Sequence, residues 1–197
     1  MNDPVSVGPD GIPRCTWANA SASLRAYHDE EWGVPVHDDV ALFGKLVLDT
    51  FQAGLSWRVI LDKRPAFLEA FDGFDPVRMA RYNERRIADL MDNGGIVRNR
   101  AKIHAAVNNA QAYLDLVDRE GAFRPWLFLW TGGQPLLDGS CPATSPESEA
   151  MSRALKEAGF KFTGPTVCYA FMQATGFVMD HPPGCCRREA CVALMQA

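Results

Sequence analysis

The chain has 197 residues, 47% of them hydrophobic, and a formal net charge of −4. Such a length can bury a core in one domain or in two packed lobes, so a scaffold that depends on disulfides is not needed. The negative charge argues against nucleic-acid binding by bulk electrostatics, which needs a surplus of Lys and Arg, and no apolar run approaches the length that spans a bilayer.

The start of the chain lacks the features of a secretion signal. Residues 1–14 contain Asp, Gly and Pro but no apolar core, whereas a signal peptide carries a run of about 7 to 15 apolar residues. We therefore expect a soluble, cytoplasmic protein. Residues 1–13 are predicted to be a flexible segment, and residues 14–197 a single helical domain, with two packed lobes as a variant.

The apolar residues follow helical spacing through most of the chain, and no segment alternates as a strand would, which predicts an all-α fold. Asp38 or Asp39 can cap a first long helix. A second helical stretch begins at about Ser56, and Pro65 is expected to kink or divide it because proline lacks the amide donor. Asp75 and Pro76 supply a cap and a first-turn proline for a short helix.

A pair of helices joined by a glycine-containing turn is predicted at about 84–118. The segment from Glu84 to Met91 is amphipathic and ends at Asn93-Gly94-Gly95, which suits a sharp stop. The next helix starts near Asn99 and runs to Gly121. From Arg81 to His104 there are six basic residues against three acidic ones; charge alone favours a solvated helix face there.

The last third of the chain is predicted to be helical around one loop. Phe123 to Trp130 is a compact aromatic stretch, and Thr131 to Pro146 is rich in Gly, Pro and Ser, which indicates a surface loop. Ser145-Pro146 starts a helix that ends at Gly159. Thr166 to Thr175 is apolar on most sides, as expected for a buried helix.

Two cysteines and two histidines near the chain ends could form a metal site. Cys15 and His28 lie near the start, while His181 and Cys185 follow each other in the spacing His-x-x-x-Cys. Two Cys and two His match a closed, tetrahedral zinc site, which would be structural because no position remains for water. The spacing fits equally well with buried thiols and an ordinary surface histidine, since the compact ligand pairs of a zinc finger are missing.

Five motifs in order resemble the DNA-3-methyladenine glycosylase I family, over residues from about Arg14 to Arg188. They are Arg14-Cys15-x-Trp17, Tyr27-His28-Asp29-x-Glu31-Trp32-Gly33-Val34-Pro35, Phe51-Gln52-Ala53-Gly54-Leu55-Ser56-Trp57, Gly159-Phe160-Lys161-Phe162 and Asp180-His181-x-x-Gly184-Cys185-Cys186. The resemblance implies a helix-hairpin-helix glycosylase fold in which one structural Zn²⁺ per chain joins the termini, with Cys15, His28, His181 and Cys185 as ligands. It further implies a monomer that acts on double-stranded DNA containing an alkylated purine.

The resemblance also implies which residues contact DNA. The basic turn falls where the family has its DNA-binding hairpin, so phosphate contact becomes the favoured interpretation of its charge. The residues implied in DNA binding are Gln52, Leu55, Gly95, Arg98, Arg100 and Lys102.

Aromatic residues and one carboxylate are the candidates for the base pocket. The resemblance implies that Tyr27, Trp32 and Trp57 stack on an extruded base, although Trp and Tyr of a helical protein are commonly core residues. Asp49 stands where the family usually has Glu, and we take it as the substrate-binding and catalytic carboxylate. Because Asp is shorter by one methylene, either the pocket is tighter or the base is held less well; the alternative for Asp49 is a helix-end residue facing solvent.

The expected reaction is hydrolysis of the N-glycosidic bond of 3-methyladenine in DNA. Alkylation at N3 makes the base a good leaving group, so strong acid–base machinery is not required. Asp115 and Asp118 fit the polar side of their helix, and Lys102 lies in the basic run, so we expect a monofunctional enzyme that leaves an abasic site. The alternatives are a non-catalytic, zinc-stabilised binder of damaged DNA and a helical interaction module without a DNA role.

Overall fold

The computed structural model describes residues 4–137 and 140–197, and in these ranges it is mostly helical, as predicted. The helices are α1 (Ala22–Glu30), α2 (Asp39–Gln52), α3 (Trp57–Ala70), α4 (Pro76–Met79), α5 (Glu84–Asp92), α6 (Arg100–Glu120), α7 (Phe123–Phe128), α8 (Pro146–Glu157), α9 (Pro165–Ala174) and α10 (Arg188–Gln196). Short 3-10 turns lie at Thr16–Ala20, Asp72–Phe74 and Leu129–Thr131. None of the described helices is long and apolar enough to cross a membrane.

Polar side chains cap the helices where the sequence indicates. Asp38 accepts a 2.7 Å bond from the backbone N of Ala41 at the start of α2, and Asn99 accepts one from Lys102 at the start of α6. Ser145 forms a reciprocal capping box at the start of α8. Each cap satisfies a backbone N–H that a helix start leaves without a partner, and is worth about 1 kcal/mol.

Pro65 was predicted to kink or divide its helix, and the division is wrong. Helix α3 runs from Trp57 to Ala70 with Pro65 inside it. The missing amide costs one backbone hydrogen bond, but the same helix buries Ile60, Leu61 and Phe67. Burial of such side chains contributes about 1.5 to 3 kcal/mol each, which is enough to keep the helix continuous.

The N-terminal segment, expected to be flexible, contains a strand. Strand β1 (Val5–Val7) pairs antiparallel with β2 (Pro13–Cys15). The side chain of Arg14, 3% exposed, anchors this hairpin through ion pairs with Asp10 and Asp29. Strands of three residues are too short to show alternation, so the sequence pattern could not reveal them.

The main core forms where α2, α6 and α9 pack with the segment after α3. Phe51, Phe67 and Phe71 lie with ring centroids 4.8 to 5.9 Å apart. A second, smaller cluster of buried residues contains Cys15, Tyr27, Trp32 and Cys185, which come from both chain ends. The functional candidates therefore gather in this smaller cluster.

One close backbone approach helps to bring the chain ends together. Gly176 has φ +77°, and a Cβ there would lie 2.6 Å from Cα of Pro35. Next to it, the backbone N of Val36 donates to the carbonyl oxygen of Thr175 at 3.1 Å. Only glycine permits both the positive φ and the contact, so the segment after α9 can pack against the segment before α2.

The predicted hairpin is present and is docked on α3. Helix α5 ends at Asp92, and Nζ of Lys63 in α3 donates to the carbonyl oxygens of Gly94 and Gly95 at 3.0 and 3.2 Å. A Cβ at Gly95 would lie 2.9 Å from Cβ of Ala66. The turn is thereby held against α3, and the start of α6 follows directly from it.

Candidate functional site

Two cysteines and two histidines from the two chain ends meet in a buried cluster. The donor atoms of Cys15, His28, His181 and Cys185 all lie within 4.8 Å of one another. Sγ of Cys185 is 3.9 Å from Sγ of Cys15, and 3.3 Å from both Nε2 of His28 and Nδ1 of His181. Tetrahedral ligands at bond lengths of about 2.0 to 2.3 Å stand roughly 3.3 to 3.8 Å apart. The four atoms can therefore hold one metal ion.

The second nitrogen of each histidine ring is held by a hydrogen bond. Nδ1 of His28 donates to Oδ1 of Asp29 at 2.8 Å, and Nε2 of His181 donates to the carbonyl oxygen of Trp32 at 3.0 Å. Asp29 accepts further bonds from the guanidinium of Arg14. Because such bonds decide which ring nitrogen carries the proton, His28 offers Nε2 and His181 offers Nδ1 to a metal.

The burial of the thiols also suits a metal. The hydrogen bond between the two thiols lowers the pKa of Cys185 well below its ordinary value, with burial opposing and the bonds to both histidines reinforcing the shift, and it raises the pKa of Cys15. Cys185 is thereby favoured as the thiolate, which is the form that binds metals. All four residues are 6% exposed or less. A closed set of four protein ligands is typical of a structural metal site.

A small cavity of about 130 Å³ lies beside this cluster and is walled by aromatic rings. Tyr27 packs against Trp57 with ring centroids 5.2 Å apart. Trp32 lies edge-on to Trp17 at 5.2 Å and to His181 at 4.6 Å. The indole of Trp32 therefore lines the cavity and contacts the metal cluster at the same time. The cavity lining is Trp17, Tyr27, Trp32, Lys45, Asp49, Gln52, Trp57, Ala170 and Gln173.

Asp49 lines this cavity and does not face solvent. It is 2% exposed, and its Oδ1 accepts a 2.5 Å bond from Nζ of Lys45, one turn earlier in α2. Burial raises the pKa of Asp49 and lowers the pKa of Lys45, and the ion pair opposes both shifts. Nζ of Lys45 also lies 4.2 Å from the centroid of the Trp57 ring.

Two polar atoms of the lining residues are buried without a hydrogen-bond partner among the described residues: Oδ2 of Asp49 and Nε1 of Trp57. The first is an acceptor and the second a donor. An unpartnered buried polar group costs about 1 to 3 kcal/mol, so a ligand that supplies one donor and one acceptor would relieve both. The edge of an adenine carries that combination.

The candidate DNA contacts lie at the N-terminal end of α6 and in the loop between α2 and α3. Arg98 and Arg100 are exposed, and Leu55 is 41% exposed for a large apolar side chain. The N-terminus of a helix favours anions, because its free N–H groups and its dipole point toward them. The backbone N of Gly95, by contrast, is occupied by a 2.8 Å bond to Oδ1 of Asn93.

Lys102 differs from its predicted role. It is 6% exposed, and its Nζ donates to the carbonyl oxygens of Phe51 and Ala53 at 2.7 and 2.6 Å. A phosphate or a sugar cannot reach an ammonium group used in this way. Lys102 instead satisfies carbonyls at the C-terminal end of α2 and holds the start of α6 against the loop that carries Gln52 and Leu55. In the sequence Lys102 belongs to a basic segment, and only its burial in the structure distinguishes it from the exposed basic residues of that segment.

Five lining residues of the cavity were not among the predicted pocket residues: Trp17, Lys45, Gln52, Ala170 and Gln173. Of these, Gln52 was predicted to bind DNA. Trp17 stands within one of the quoted motifs, two residues after Cys15, which could have marked it. The i,i+4 spacing of Lys45 and Asp49 was visible as a helix ion pair, but such pairs are common on exposed helix faces. Gln173 lies in a helix that is apolar on most sides and carries no motif.

Comparison with known proteins is consistent with this arrangement. A family model described as methyladenine glycosylase matches residues 17–188. The chain is 42% identical over 180 residues to DNA-3-methyladenine glycosylase 1 of Escherichia coli (strain K12), covering 89% of this chain and 96% of that protein. It is 41% identical over 177 residues to DNA-3-methyladenine glycosylase of Haemophilus influenzae, covering 87% and 96%.

The fold is also similar to a solved structure. The chain superposes with a TM-score of 0.85 on the structure of 3-methyladenine DNA glycosylase I from Staphylococcus aureus. That structure is described as showing the structural basis of 3-methyladenine recognition by the Staphylococcus aureus protein. Its sequence is 34% identical, and the match covers 89% of this chain and 96% of the other.

Proposed function

The chain belongs to the methyladenine glycosylase family, and from this premise we propose how its own residues excise 3-methyladenine from DNA. It is a DNA-3-methyladenine glycosylase, a hydrolase of the N-glycosidic bond. The proposal covers the base pocket, the DNA face and the metal. The observation that carries it is the cavity in which a buried carboxylate and four aromatic residues lie together.

In the proposed complex the damaged nucleotide leaves the DNA stack and its base enters the cavity. Extrusion costs roughly a few kcal/mol, and stacking on an aromatic ring returns about 1 to 3 kcal/mol for each base. Tyr27, Trp32 and Trp57 supply the rings. A methylated, cationic purine gains further attraction to electron-rich ring faces and to the carboxylate of Asp49.

Asp49 is the proposed catalytic carboxylate. Its Oδ2 accepts a hydrogen bond from the amino edge of the base, while the Trp57 N–H donates to a ring nitrogen. The bond between the sugar and the N3-methylated base breaks, and the base departs with the electron pair and becomes neutral. Water then adds to the sugar cation and releases one proton to the solvent. The pocket therefore has to hold the base and exclude bulk water, and no residue has to donate a proton strongly. The product is an abasic site.

The proposed DNA face combines the hairpin with the loop before α3. The N-terminal end of α6, with Arg98 and Arg100, contacts phosphates, and the exposed Leu55 enters the space that the flipped nucleotide vacates. Gln52, the last residue of α2, lines the base cavity and contacts the flipped nucleotide from there. The 2.6 Å bond from Lys102 to Ala53 supports this grouping, because it joins the two elements. Such local contacts do not require a positive net charge on the whole protein.

The metal is proposed to be one structural Zn²⁺ ion held by Cys15, His28, His181 and Cys185. The mixed sulfur and nitrogen donor set is the one that zinc prefers in closed tetrahedral sites. Bound there, the ion would cross-link the end of β2 and helix α1 to the segment before α10 and would add to folding stability.

The decisive experiment is mass analysis of the bases that the protein releases from methylated genomic DNA. Free 3-methyladenine, with intact strands bearing abasic sites, is expected. Asp49→Asn should depress its release at least tenfold if the charge contributes more than about 1.4 kcal/mol to the transition state. Binding to DNA with an abasic analogue should persist in the variant.

The double variant Lys45→Met/Asp49→Asn is the control for stability, because it leaves no unpaired buried ammonium group. It should be as inactive as Asp49→Asn alone while unfolding close to the wild-type temperature. A protein that binds the abasic analogue but releases no base would be a non-catalytic binder of damaged DNA, and normal release by Asp49→Asn would remove Asp49 from the reaction.

A further inference from the structure

Lys45 makes the same two kinds of interaction that the proposed function assigns to a charged base, although it binds Oδ1 of Asp49 and leaves Oδ2 without a partner. Its Nζ is 2.5 Å from Oδ1 of Asp49 and 4.2 Å from the centroid of the Trp57 ring. Its side chain is 16% exposed, and that of Asp49 is 1% exposed. An ammonium group in this position is a cation already bound to the carboxylate and to the aromatic face.

The pair also cancels the charge of the cavity. Lys45 and Asp49 contribute one positive and one negative charge, and the polar residues Gln52 and Gln173 in the lining are neutral. A cationic base that enters beside both charges therefore meets a site with no net attraction. Asp49 attracts such a base fully only when the ammonium group leaves Oδ1, because a cation already beside the carboxylate offsets most of its charge.

The structure offers a place to which the Lys45 side chain can move. A second cavity of about 590 Å³ shares Lys45 and Tyr27 with the base pocket and is lined by Glu30, Glu31 and Asp38. Glu31 is paired with Arg64 at 2.5 Å, whereas the side chain of Glu30 is exposed. The cavity lining also contains Arg64 and many apolar side chains. The four-carbon stem of lysine is flexible, so its ammonium group can turn from Asp49 toward the carboxylates of this lining.

We propose that Lys45 is a specificity-determining residue whose ammonium group competes with a cationic base for Asp49 and Trp57. Such a base binds when Lys45 moves toward the second cavity, which Glu30, Glu31 and Asp38 line. The inference rests on the proposed function, since it assumes that the Asp49 cavity takes the base. It has a clear consequence: the protein discriminates between charged and uncharged methylated purines less strongly than the same pocket would without Lys45.

The test compares two free purines that carry the same 3-methyl group and differ in charge. One is 3,9-dimethyladeninium, a permanent cation in which a methyl group replaces the sugar, and the other is uncharged 3-methyladenine. Binding is followed by tryptophan fluorescence in mildly alkaline solution, which keeps 3-methyladenine neutral and favours ionised Asp49. The measured quantity is the ratio of the two affinities.

Lys45→Met removes the charge and keeps an unbranched side chain. The ratio of cation to neutral affinity should rise at least tenfold, which corresponds to about 1.4 kcal/mol. Lys156→Met, at an exposed position of α8, is the matched control and should leave the ratio unchanged. In Lys45→Met/Asp49→Asn the cavity is again neutral, so the ratio should return to within about threefold of wild type.

Each other outcome overturns the inference. An unchanged ratio in Lys45→Met means that Lys45 does not compete with the base, and a lower ratio means that it supports cation binding by keeping Asp49 ionised. If Lys45→Met does not fold, the test uses Lys45→Met/Asp49→Asn alone. A ratio of cation to neutral affinity well above the wild-type ratio in this double variant contradicts the proposal. Failure of both purines to bind the wild-type protein refutes the pocket, whereas failure to release 3-methyladenine from DNA refutes the proposed function by itself.

Discussion

Removal of one proposed zinc ligand, in the variant Cys15→Ala, should lower the stability of the protein strongly. Cys15 and Cys185 are 170 positions apart in the chain. A cross-link that closes a loop of this length removes about 5 kcal/mol of chain entropy from the unfolded state in the simplest estimate. The metal is predicted to act as such a cross-link between the chain ends.

Part of this stabilisation survives without the metal, because other bonds join the same elements. The backbone N of Cys186 donates to the carbonyl oxygen of Pro13 at 2.9 Å, and Arg14 holds Asp29 through two charge-assisted bonds. We therefore expect a loss of about 2 to 4 kcal/mol in the free energy of unfolding. For a protein of this size the midpoint temperature should fall by roughly 5 to 15 °C.

The assay combines thermal unfolding by circular dichroism with elemental analysis of the purified protein. Wild-type protein should contain one zinc per chain and should unfold at a lower temperature after treatment with a strong chelator. Cys15→Ala should contain little metal and should not respond to the chelator. Cys168→Ala is the matched control, because Cys168 is fully buried but lies outside the cluster; it should keep its metal and its response.

Two results would refute this reasoning. One is wild-type protein that holds no metal after growth with added zinc. The other is equal unfolding temperatures and equal chelator responses for Cys15→Ala and Cys168→Ala, which would mean that the four side chains meet in the core without acting as ligands.

Two further predictions concern the DNA face and the close approach at the chain ends. Replacing Arg98 and Arg100 with Ala should weaken binding to any duplex and lower the slope of log affinity against log salt by about one for each lost phosphate contact. The control Arg119→Ala, at the far end of α6, should leave the slope unchanged. An unaltered slope in the double variant would mean that the hairpin does not contact DNA. Gly176→Ala should lower the free energy of unfolding in urea by more than about 2 kcal/mol, because backbone strain is added to a clash. The control is Gly132→Ala, where φ is +73° but no atom lies within 4 Å of the new Cβ; it should lower the free energy of unfolding by about 1 kcal/mol. Equal losses in the two variants would show that the structure relaxes to remove the clash.

The helices were predictable because their signals are local. A cap such as Asp38 or Asn99 and a break such as Gly121 act within one turn, and apolar spacing reports which face is buried. The cluster of Cys15, His28, His181 and Cys185 was predictable only through the family resemblance, because nothing in its spacing indicates that residues from opposite chain ends meet.

The features that escaped prediction depend on tertiary contacts. The hairpin of β1 and β2 is stabilised by the ion pairs of Arg14 with Asp10 and Asp29, not by its own apolar pattern. Lys102 lies among basic residues in the sequence, which favours a contact with phosphate. In the structure its ammonium group donates hydrogen bonds to two carbonyl oxygens at the end of α2. In the sequence, Lys45 and Asp49 have the spacing of an ion pair on an exposed helix face. In the structure, Trp57 and Tyr27 pack beside Lys45 and the pair is buried.

The arrangement of α1 explains why a metal that touches no base should still influence base excision. Three consecutive residues of this helix serve different parts of the site: Tyr27 lines the cavity, His28 contributes a donor atom to the cluster, and Asp29 orients the ring of His28. Trp32, which follows the helix, lines the same cavity and accepts the hydrogen bond that orients His181. Any shift of the cluster therefore moves two walls of the cavity. Because misplacement of a bound group by about 1 Å can cost 10²-fold in rate, loss of the metal should reduce excision even at temperatures where the protein remains folded.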